Sequence, residues 1–385
     1  MSEIEWIKLP QDLQHKFFEI AESESKKAAE TIERLQKELK GLTELVSKHS
    51  RKFETGEERF RVAAVDSSKS PRMSQRLGIR YGVFSVGVTY LDKEGRRDEF
   101  EAGIFKRKQA FAQEESEFMF DIQTVFEERK VAKKALENSD FVIIDGTFYG
   151  FLYTALKMME QGYYQQHHKD VVEGTYEVTN ELVESRRVIG VIKRSRTRAL
   201  GGYMFLKAKN STLVSVIDKL ILSMIMGKNT LFEYKDILGE KPVPLYSQIA
   251  ALVNRGKKVD DYVEEARIKT YRPFEKLSLD SSRYNELRRI QVRAFEHMPP
   301  CEIEFPDKMQ KDVMLLISQN KFFNEGTNLP MALDLVDSSV NLSAGFADEF
   351  TDEVQSRLIE MFDRENKNKD MARFFFSLMN PQKEF

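Results

Sequence analysis

The stretch Phe141-Val-Ile-Ile-Asp145 is apolar at every position before its terminal acid, and Gly146 follows it. A run without polar alternation is typical of a strand buried on both faces of a sheet. A second run, Arg61-Val-Ala-Ala-Val-Asp66, also ends in an aspartate followed by small residues. Ligands of open α/β sheets gather beyond the carboxyl ends of the strands. The two acids therefore predict where a functional site lies.

The elements around these runs predict an α/β fold with a mixed sheet and helices on its faces. Residues Ile79–Leu91 and Arg97–Lys106 are rich in strand-forming residues and extend the first run into a meander. A long helix is expected over Glu114–Glu137, and a strand over Val188–Ile192. Later strands are expected at Ile268–Tyr271, Gln291–Phe295 and Glu302–Phe305, and helices at 178–184, Leu213–Met226, Asp307–Phe322, Leu329–Leu342 and Ala347–Glu365.

The N-terminal part, about Pro10 to His49, is predicted to be one helix. Its apolar residues recur at steps of four and three, at Ala28, Ile32, Leu35, Leu39, Leu42 and Val46. This coiled-coil-like seam covers fewer than three heptads, so we favour packing onto a core; an antiparallel hairpin and a dimeric coiled coil remain alternatives. Three segments follow: an N-terminal helical segment 1–58, a sheet domain 59–345 and a C-terminal helical extension 346–385.

Composition excludes several classes of protein. The 60 Lys and Arg residues nearly balance the 62 Asp and Glu residues, so nucleic-acid binding would need a local patch of charge. The single cysteine, Cys301, excludes an internal disulfide framework and a cysteine-rich zinc site. The longest apolar stretch, Leu220–Met226, is too short to span a bilayer. We therefore expect a cytoplasmic protein without a membrane segment.

Acids at two strand ends indicate a metal site. Asp66 and Asp145 would repel each other if close together, unless a divalent cation with a preference for oxygen ligands, such as Mg²⁺ or Mn²⁺, lay between them. Glu128 lies at the edge of the apolar face of the intervening helix, and Asp121 is on the same face one heptad earlier. The alternatives are that each aspartate caps a turn and that Glu128 forms a buried ion pair.

Two basic clusters could bind phosphates. Lys69, Arg72 and Arg76 follow the first strand with no acid among them. The stretch 186–198 (RRVIGVIKRSRTR) also lacks acids; its second half carries Lys193, Arg194, Arg196 and Arg198. Such groups hold phosphate backbones, although a solvated charged face is the alternative. Lys193 ends an apolar strand, like the two acids, so we expect it at the same edge of the sheet.

Other catalytic schemes find little support. The sequence contains no P-loop, no dinucleotide-binding glycine motif after a strand and no G-x-S-x-G elbow. The adjacent His167 and His168 lie in a polar stretch and would point in different directions, so metal binding there is disfavoured.

The order AAVDSS, helical Glu, VIIDGT and GVIKRSRTR resembles the NurA nuclease family. The resemblance covers roughly residues 60–345. It implies a variant of the RNase H-like fold and a nuclease that works on DNA with a hexameric HerA-type ATPase. Matched to the family motifs, Asp66 and Asp145 would be metal-binding aspartates, Glu128 the helical glutamate and Lys193 the basic strand end.

Two positions depart from the family pattern. Asp337 stands where the family usually has histidine, with Asp334 as the competing fourth ligand, and Ser67 replaces a glycine. Neither change removes an acid. The resemblance thus implies a divalent-metal-dependent deoxyribonuclease with two Mn²⁺ or Mg²⁺ ions, held by Asp66, Glu128, Asp145 and Asp337. A role in end processing or in defence against foreign DNA is expected.

Two other functions stay open. A phosphotransferase could also use strand-end aspartates, and a non-catalytic DNA-binding subunit could recruit a translocase. A two-fold homodimer is expected because such dimers are the commonest oligomers. The Leu35, Leu39 and Leu42 seam and the aromatic segment Met371–Met379 are the candidate contacts.

Overall fold

The computed structural model describes residues 8–57, 60–365 and 367–371. The boundary predicted at residues 58 and 59 and, apart from Met371, the predicted aromatic contact segment lie outside these residues. Within them, none of the helices combines the length and the apolar character needed to cross a bilayer.

Ten strands form one mixed sheet. They are β1 (Ser50–Lys52), β2 (Val62–Lys69), β3 (Ser74–Arg76), β4 (Ile79–Asp92), β5 (Gly95–Lys108), β6 (Phe141–Asp145), β7 (Val188–Ile192), β8 (Thr230–Glu233), β9 (Leu287–Arg293) and β10 (Cys301–Pro306). Their order across the sheet is β1-β8-β9-β10-β7-β6-β2-β4-β3, and β5 pairs with β4. Among the strands in the described residues, only β2, β6 and β7 are parallel neighbours, so their carboxyl ends meet at one edge.

Thirteen α-helices are described in these ranges. They are α1 (Gln11–Lys48), α2 (Gln113–Ala135), α3 (Phe151–Glu160), α4 (Gln166–Ser185), α5 (Ala199–Ala208), α6 (Asp218–Ile225), α7 (Lys235–Leu238), α8 (Val243–Asn254), α9 (Tyr262–Leu277), α10 (Ser282–Asn285), α11 (Gln310–Ile317), α12 (Met331–Val340) and α13 (Phe346–Arg364). The mixed sheet with flanking helices and a long N-terminal helix confirms the predicted fold class.

The central strands are buried on both faces, as their apolar runs predict. Ala63 and Val65 of β2 pack into a core with α2, α3, α4 and α9. Val62 and Ala64 point the other way, into a core with α11 and α12. The register of β2 is therefore strongly specified, because a slip by one residue would exchange the two cores. It fixes the position of Asp66, directly after the last residue of β2 that pairs with β6.

One strand prediction is wrong. Residues Ile268–Tyr271 lie inside the helix α9, although isoleucine, threonine and tyrosine favour strands. The buried residues of α9 recur at helical spacing, among them Ala266, Thr270 and Phe274. Its first turn is capped by the Asp261 carboxylate, which accepts from the backbone N–H groups of Val263 and Glu264. Helical packing and capping thus outweigh the local preference.

Two helix predictions also change in extent. Only residues Asp218–Ile225 of the predicted stretch 213–226 are helical. The helix predicted over residues 307–322 is a short 3-10 turn followed by α11, which ends at Ile317.

The C-terminal half of α1 packs onto the protein itself. Leu39, Leu42 and Val46 are buried against α5, α6 and α8. This favours the packing interpretation over the dimer contact proposed for the seam. Ile32, in the same heptad pattern, is 54% exposed.

Leu42→Ala should lower the free energy of unfolding by roughly 2–4 kcal/mol, since it opens a cavity at a fully buried position. Ile32→Ala, on the exposed part of the same helix, is the matched control and should change it by less than about 0.5 kcal/mol. Urea unfolding measures both. Equal effects of the two changes would contradict the packing of α1 described above.

Candidate metal and phosphate site

Three side chains meet where the parallel strands end. Asp66 lies in β2, Asp145 ends β6 and Lys193 directly follows β7. The Lys193 Nζ atom is 2.6 Å from Asp66 Oδ2 and 3.4 Å from Asp145 Oδ2. The edge of the sheet thus brings two predicted acids to one ammonium group.

Helix α12 supplies a third acid. Asp337 Oδ1 is 2.6 Å from Lys193 Nζ. Asp334, one helical turn earlier, turns away and accepts from Asn324 Nδ2 at 2.8 Å and from the Thr327 hydroxyl. Of the two candidates for a fourth metal ligand, only Asp337 lies beside Lys193.

The carboxylate of Glu128 is hydrogen-bonded to other side chains of the protein. Its carboxylate is buried in α2, where Oε2 accepts from Ser67 Oγ at 2.5 Å and Oε1 from Arg129 at 2.9 Å. Arg129 also donates to the backbone oxygen of Thr147. Both oxygens of Glu128 therefore have partners within the protein, and the buried ion pair considered as an alternative is present. The side chain of Ser67, which replaces a glycine of the family pattern, is one of these partners.

Burial dominates the electrostatics of the acids. Burial, opposed by Lys193 and reinforced by Asp145 and Glu128, raises the pKa of Asp66 to about 8. Burial also raises the pKa of Asp145 and of Glu128. Burial thus makes the charged form of Asp66 costly, and Lys193 offsets part of that cost.

The pKa of Lys193 is raised and that of Asp337 is lowered, so both groups are stabilised in their charged forms. Although burial opposes its charge, the surrounding carboxylates raise the pKa of Lys193. Partial burial of Asp337 is outweighed by hydrogen bonds from Lys193 and Asp66, which lower its pKa. The group is a charge cluster with more acids than cations, and it would be stabilised by an added positive charge.

The acids line a cleft that suits a hard divalent cation. A cavity of about 590 Å³, here called the metal cleft, is lined by Asp66, Ser67, Ser68, Asp145, Gly146, Thr147, Ile192, Lys193, Arg194, Asp337, Val340 and Asn341. Its carboxylate oxygens are the ligand type that Mg²⁺ and Mn²⁺ prefer. Asp66, Asp145 and Asp337 all lie within 3.4 Å of the one ammonium group of Lys193, so the acids outnumber the cations here. The donor set therefore fits a divalent ion.

The predicted phosphate-binding residues divide into two groups. Lys69 pairs with Asp121, and Arg76 lies 3.5 Å from Asp352 of α13, so acids of the protein already compensate these two positive charges. Arg72 is exposed and Arg198 is half-buried. Arg194 and Arg196 are exposed, and neither has an ion pair with any residue in the described ranges. Arg194 and Arg196 are therefore available to a phosphate backbone.

A buried glutamate fixes the loop after β7. Glu302 of β10 is fully buried and accepts from the Ser195 hydroxyl, from Thr197 Oγ1 at 2.9 Å and from Arg289 at 2.9 Å. Ser195 and Thr197 alternate with the arginines of this loop. Their inward hydroxyls hold Arg194 and Arg196 on the outer side.

Glu304, two residues later on the same face, fixes the loop after β6. Its carboxylate accepts from the backbone N–H of Phe148 at 2.9 Å and from Arg289 at 2.8 Å. Arg289 thus joins Glu302 to Glu304 and links the two loops that flank the metal cleft. Sequence reasoning missed all three residues; the available signal was two acids in the otherwise apolar strand CEIEF.

A second group of possible ligands has a structural explanation. Glu115, His167 and His168 place ligand atoms within 4.8 Å of one another, which makes them a candidate metal-binding group. However, His168 Nδ1 accepts the backbone N–H of Gln165, and Nε2 lies 3.2 Å from Glu115 and 3.0 Å from Arg107 Nη2. Arg107 also pairs with Glu115 at 2.5 Å. These contacts join α4 to α2 and engage both ring nitrogens of His168 within the protein.

Comparisons with known proteins point to one family and fold. Residues 60–241 match the family model described as the NurA domain. The crystal structure of the NurA nuclease from Sulfolobus solfataricus is similar over 91% of this chain and 98% of that chain, with 14% identity and a TM-score of 0.56. At that identity the similarity establishes a shared fold. No curated protein matches the sequence.

Two further solved structures are more distant. A structure of NurA bound to dAMP and manganese shares 11% identity over 81% of this chain and 92% of that chain, with a TM-score of 0.43. A structure of NurA with manganese shares 12% identity over 89% and 99%, with a TM-score of 0.44.

Asp66→Asn should alter how stability depends on pH when a chelator is present. A raised carboxyl pKa stabilises the fold below the unfolded value near 4, and this stabilisation is lost as the pH rises towards 8. Asparagine has no such loss. Relative to wild type, the free energy of unfolding of the variant should therefore rise by roughly 1–3 kcal/mol between pH 5 and pH 8. Urea unfolding in EDTA measures this, and a fall over the same interval would contradict the assigned shift.

Proposed function

This chain belongs to the NurA domain family through residues 60–241, and on that premise we propose that it is a divalent-metal-dependent deoxyribonuclease. The observation that carries the proposal is the convergence of Asp66, Asp145 and Asp337 on Lys193 at the open carboxyl edge of the sheet. Phosphodiester hydrolysis needs carboxylates for a metal ion and a cation for the phosphate. Both are present within one cleft.

Asp66, Asp145 and Asp337 would hold Mn²⁺ or Mg²⁺, with Glu128 available once Ser67 releases its Oε2 atom. A bound ion would supply an activated water and offset negative charge on the phosphate. The count of two ions per site remains a prediction that metal titration can test.

The basic side chains would bind and orient the substrate. Lys193, at the rim between the acids, would donate to an oxygen of the scissile phosphate. Arg194 and Arg196, exposed beside it, would bind neighbouring phosphates of the strand. Arg129 compensates the charge of Glu128 and holds the Asp145 loop through Thr147.

The proposed partners follow from the family. We expect a HerA-type hexameric ATPase that delivers DNA, and a homodimer of this chain. The part of α1 that precedes Leu35 supports an interface of some kind, because its large apolar side chains Leu13, Ile20 and Ile32 are exposed. End processing and defence against foreign DNA are both compatible with this assembly.

Asp145→Asn should abolish cleavage of DNA, because it removes an anionic ligand from the metal cleft. Activity is measured on end-labelled linear and closed circular DNA with Mn²⁺, Mg²⁺ or EDTA. We expect a loss of at least about 100-fold. Asp334→Asn, on the same α12 helix as Asp337 but outside the cleft, is the control and should retain activity.

Full activity of Asp145→Asn would refute the proposal. A wild-type protein that binds DNA and Mn²⁺ but cleaves neither substrate would instead favour the non-catalytic subunit.

Ser67→Ala should lower the Mn²⁺ concentration that gives half-maximal cleavage, by roughly threefold to tenfold, the equivalent of one hydrogen bond. The serine hydroxyl occupies Glu128 Oε2, and its loss frees that oxygen for the cation. Ser85→Ala removes a hydroxyl that donates to the backbone of Val340 and should leave the requirement unchanged. A raised requirement in Ser67→Ala would mean that the serine orients Glu128 rather than competing for it.

A further inference from the structure

A second cavity, of about 260 Å³, adjoins the metal cleft. We call it the side pocket; its lining includes Tyr153, Arg196, Gln248, Pro273, Tyr284 and Glu304. Thr147 and Ile192 line both cavities. A molecule whose phosphate lies in the metal cleft can therefore extend into the side pocket past these two residues.

The floor of the side pocket is held in place. Glu304 is fixed by Arg289 and by the backbone of Phe148, as described above. The Tyr284 ring lies 5.1 Å from the Phe274 ring and 6.0 Å from the Tyr149 ring, between centroids. A preformed pocket of this kind, mostly apolar with a few polar groups, is typical of a ligand site.

Three polar side chains at the side pocket lack partners. Across the ranges that the structure describes, Tyr153, Arg196 and Gln248 form no side-chain hydrogen bond or ion pair. Tyr153 is 39% exposed at the beginning of α3, and Gln248 is half-buried in α8. Their hydrogen-bonding capacity is therefore available to a ligand.

These groups match one chemical class. Aromatic rings such as Tyr153 bind nucleobases by stacking. The Gln248 amide offers both a donor and an acceptor, which suits the edge of a base. Arg196 can pair with a phosphate or stack on a base. The set contains a stacking surface, a base-edge reader and a cation, next to a cleft that is suited to a phosphodiester.

We propose that the side pocket binds an unpaired nucleobase of the DNA strand, on a nucleotide next to the scissile phosphate. The inference rests on the proposed nuclease function, because that function places the phosphate in the metal cleft. A base in the side pocket cannot remain in a duplex, since Gln248 would take the edge that pairs. Cleavage should therefore need a single strand or an opened end.

The test uses the full-length protein and labelled single-stranded oligonucleotides with one abasic nucleotide at successive positions. For the wild type, cleavage at one phosphodiester position relative to the abasic nucleotide should fall roughly tenfold. Tyr153→Ala should lose a similar factor on intact DNA. On the abasic substrate it should lose no further activity, because the stacking is already absent.

Tyr262→Ala is the matched control. Tyr262 lies at the start of α9, eleven residues before Pro273 of the side pocket, or about 16 Å along the helix. This variant should cleave both substrates like the wild type. The proposal is overturned if the abasic nucleotide has no effect at any position, or if its effect and that of Tyr153→Ala multiply.

A binding measurement separates this inference from the nuclease proposal. Single-stranded DNA carrying 5-iodouracil is irradiated with the protein, and the crosslinked peptide is identified by mass spectrometry. We expect crosslinks in the α3 peptide that contains Tyr153 or in the α8 peptide that contains Gln248. A protein that gives these crosslinks but does not cleave would refute the nuclease and keep the pocket. Crosslinks confined to other peptides would refute the pocket, whatever the activity.

Discussion

The ion pair between the Lys193 ammonium and the buried carboxylate of Asp66 is the interaction on which the carboxyl edge of this sheet depends. A carboxylate removed from water costs several kcal/mol unless a cation or hydrogen bonds compensate it. Here three acids share one lysine, and burial leaves Asp66 with a pKa near 8. The fold thus tolerates an incompletely compensated cluster of acids at the end of its most buried strands. Such a cluster is unfavourable for stability alone and is typical of a functional site.

The parallel arrangement of β2, β6 and β7 makes this cluster possible. The antiparallel neighbours would carry their carboxyl ends to the opposite edge. Asp66 and Asp145 come from the neighbouring strands β2 and β6, and Lys193 directly follows β7. The helix α12 adds Asp337 from one face of the sheet. The helix α2, on the other face, supplies Glu128. The two packed layers meet at the cluster, so the packing of both faces decides its geometry.

Much of this arrangement follows from local sequence patterns. Apolar runs that end in an acid predicted β2 and β6, because a strand buried on both faces is typically a nearly continuous apolar run. The helical wheel placed Glu128 towards the sheet but could not show that Ser67 and Arg129 occupy its oxygens. Such contacts depend on side chains distant in sequence.

The same limit explains the errors elsewhere. The short run Ile268–Tyr271 favours a strand by composition, and the packing of a whole helix overrides it. Glu302 and Glu304 gave no motif, because their partners come from two other loops and from Arg289. Their burial could not be read from the sequence either, because an acid in a strand suggests solvent exposure until its partner is known.

The buried glutamates also explain how a chain with nearly balanced charge can present a positive surface. The sequence Lys193-Arg-Ser-Arg-Thr-Arg198 alternates cations with hydroxyl residues. Because the Ser195 and Thr197 hydroxyls turn inward to Glu302, Arg194 and Arg196 face outward beside the metal cleft. Elsewhere Lys69 and Arg76 are paired with acids, so they contribute little to the positive electrostatic potential of the surface. The positive surface is therefore a consequence of one buried carboxylate that fixes the direction of a loop, and net charge says nothing about it.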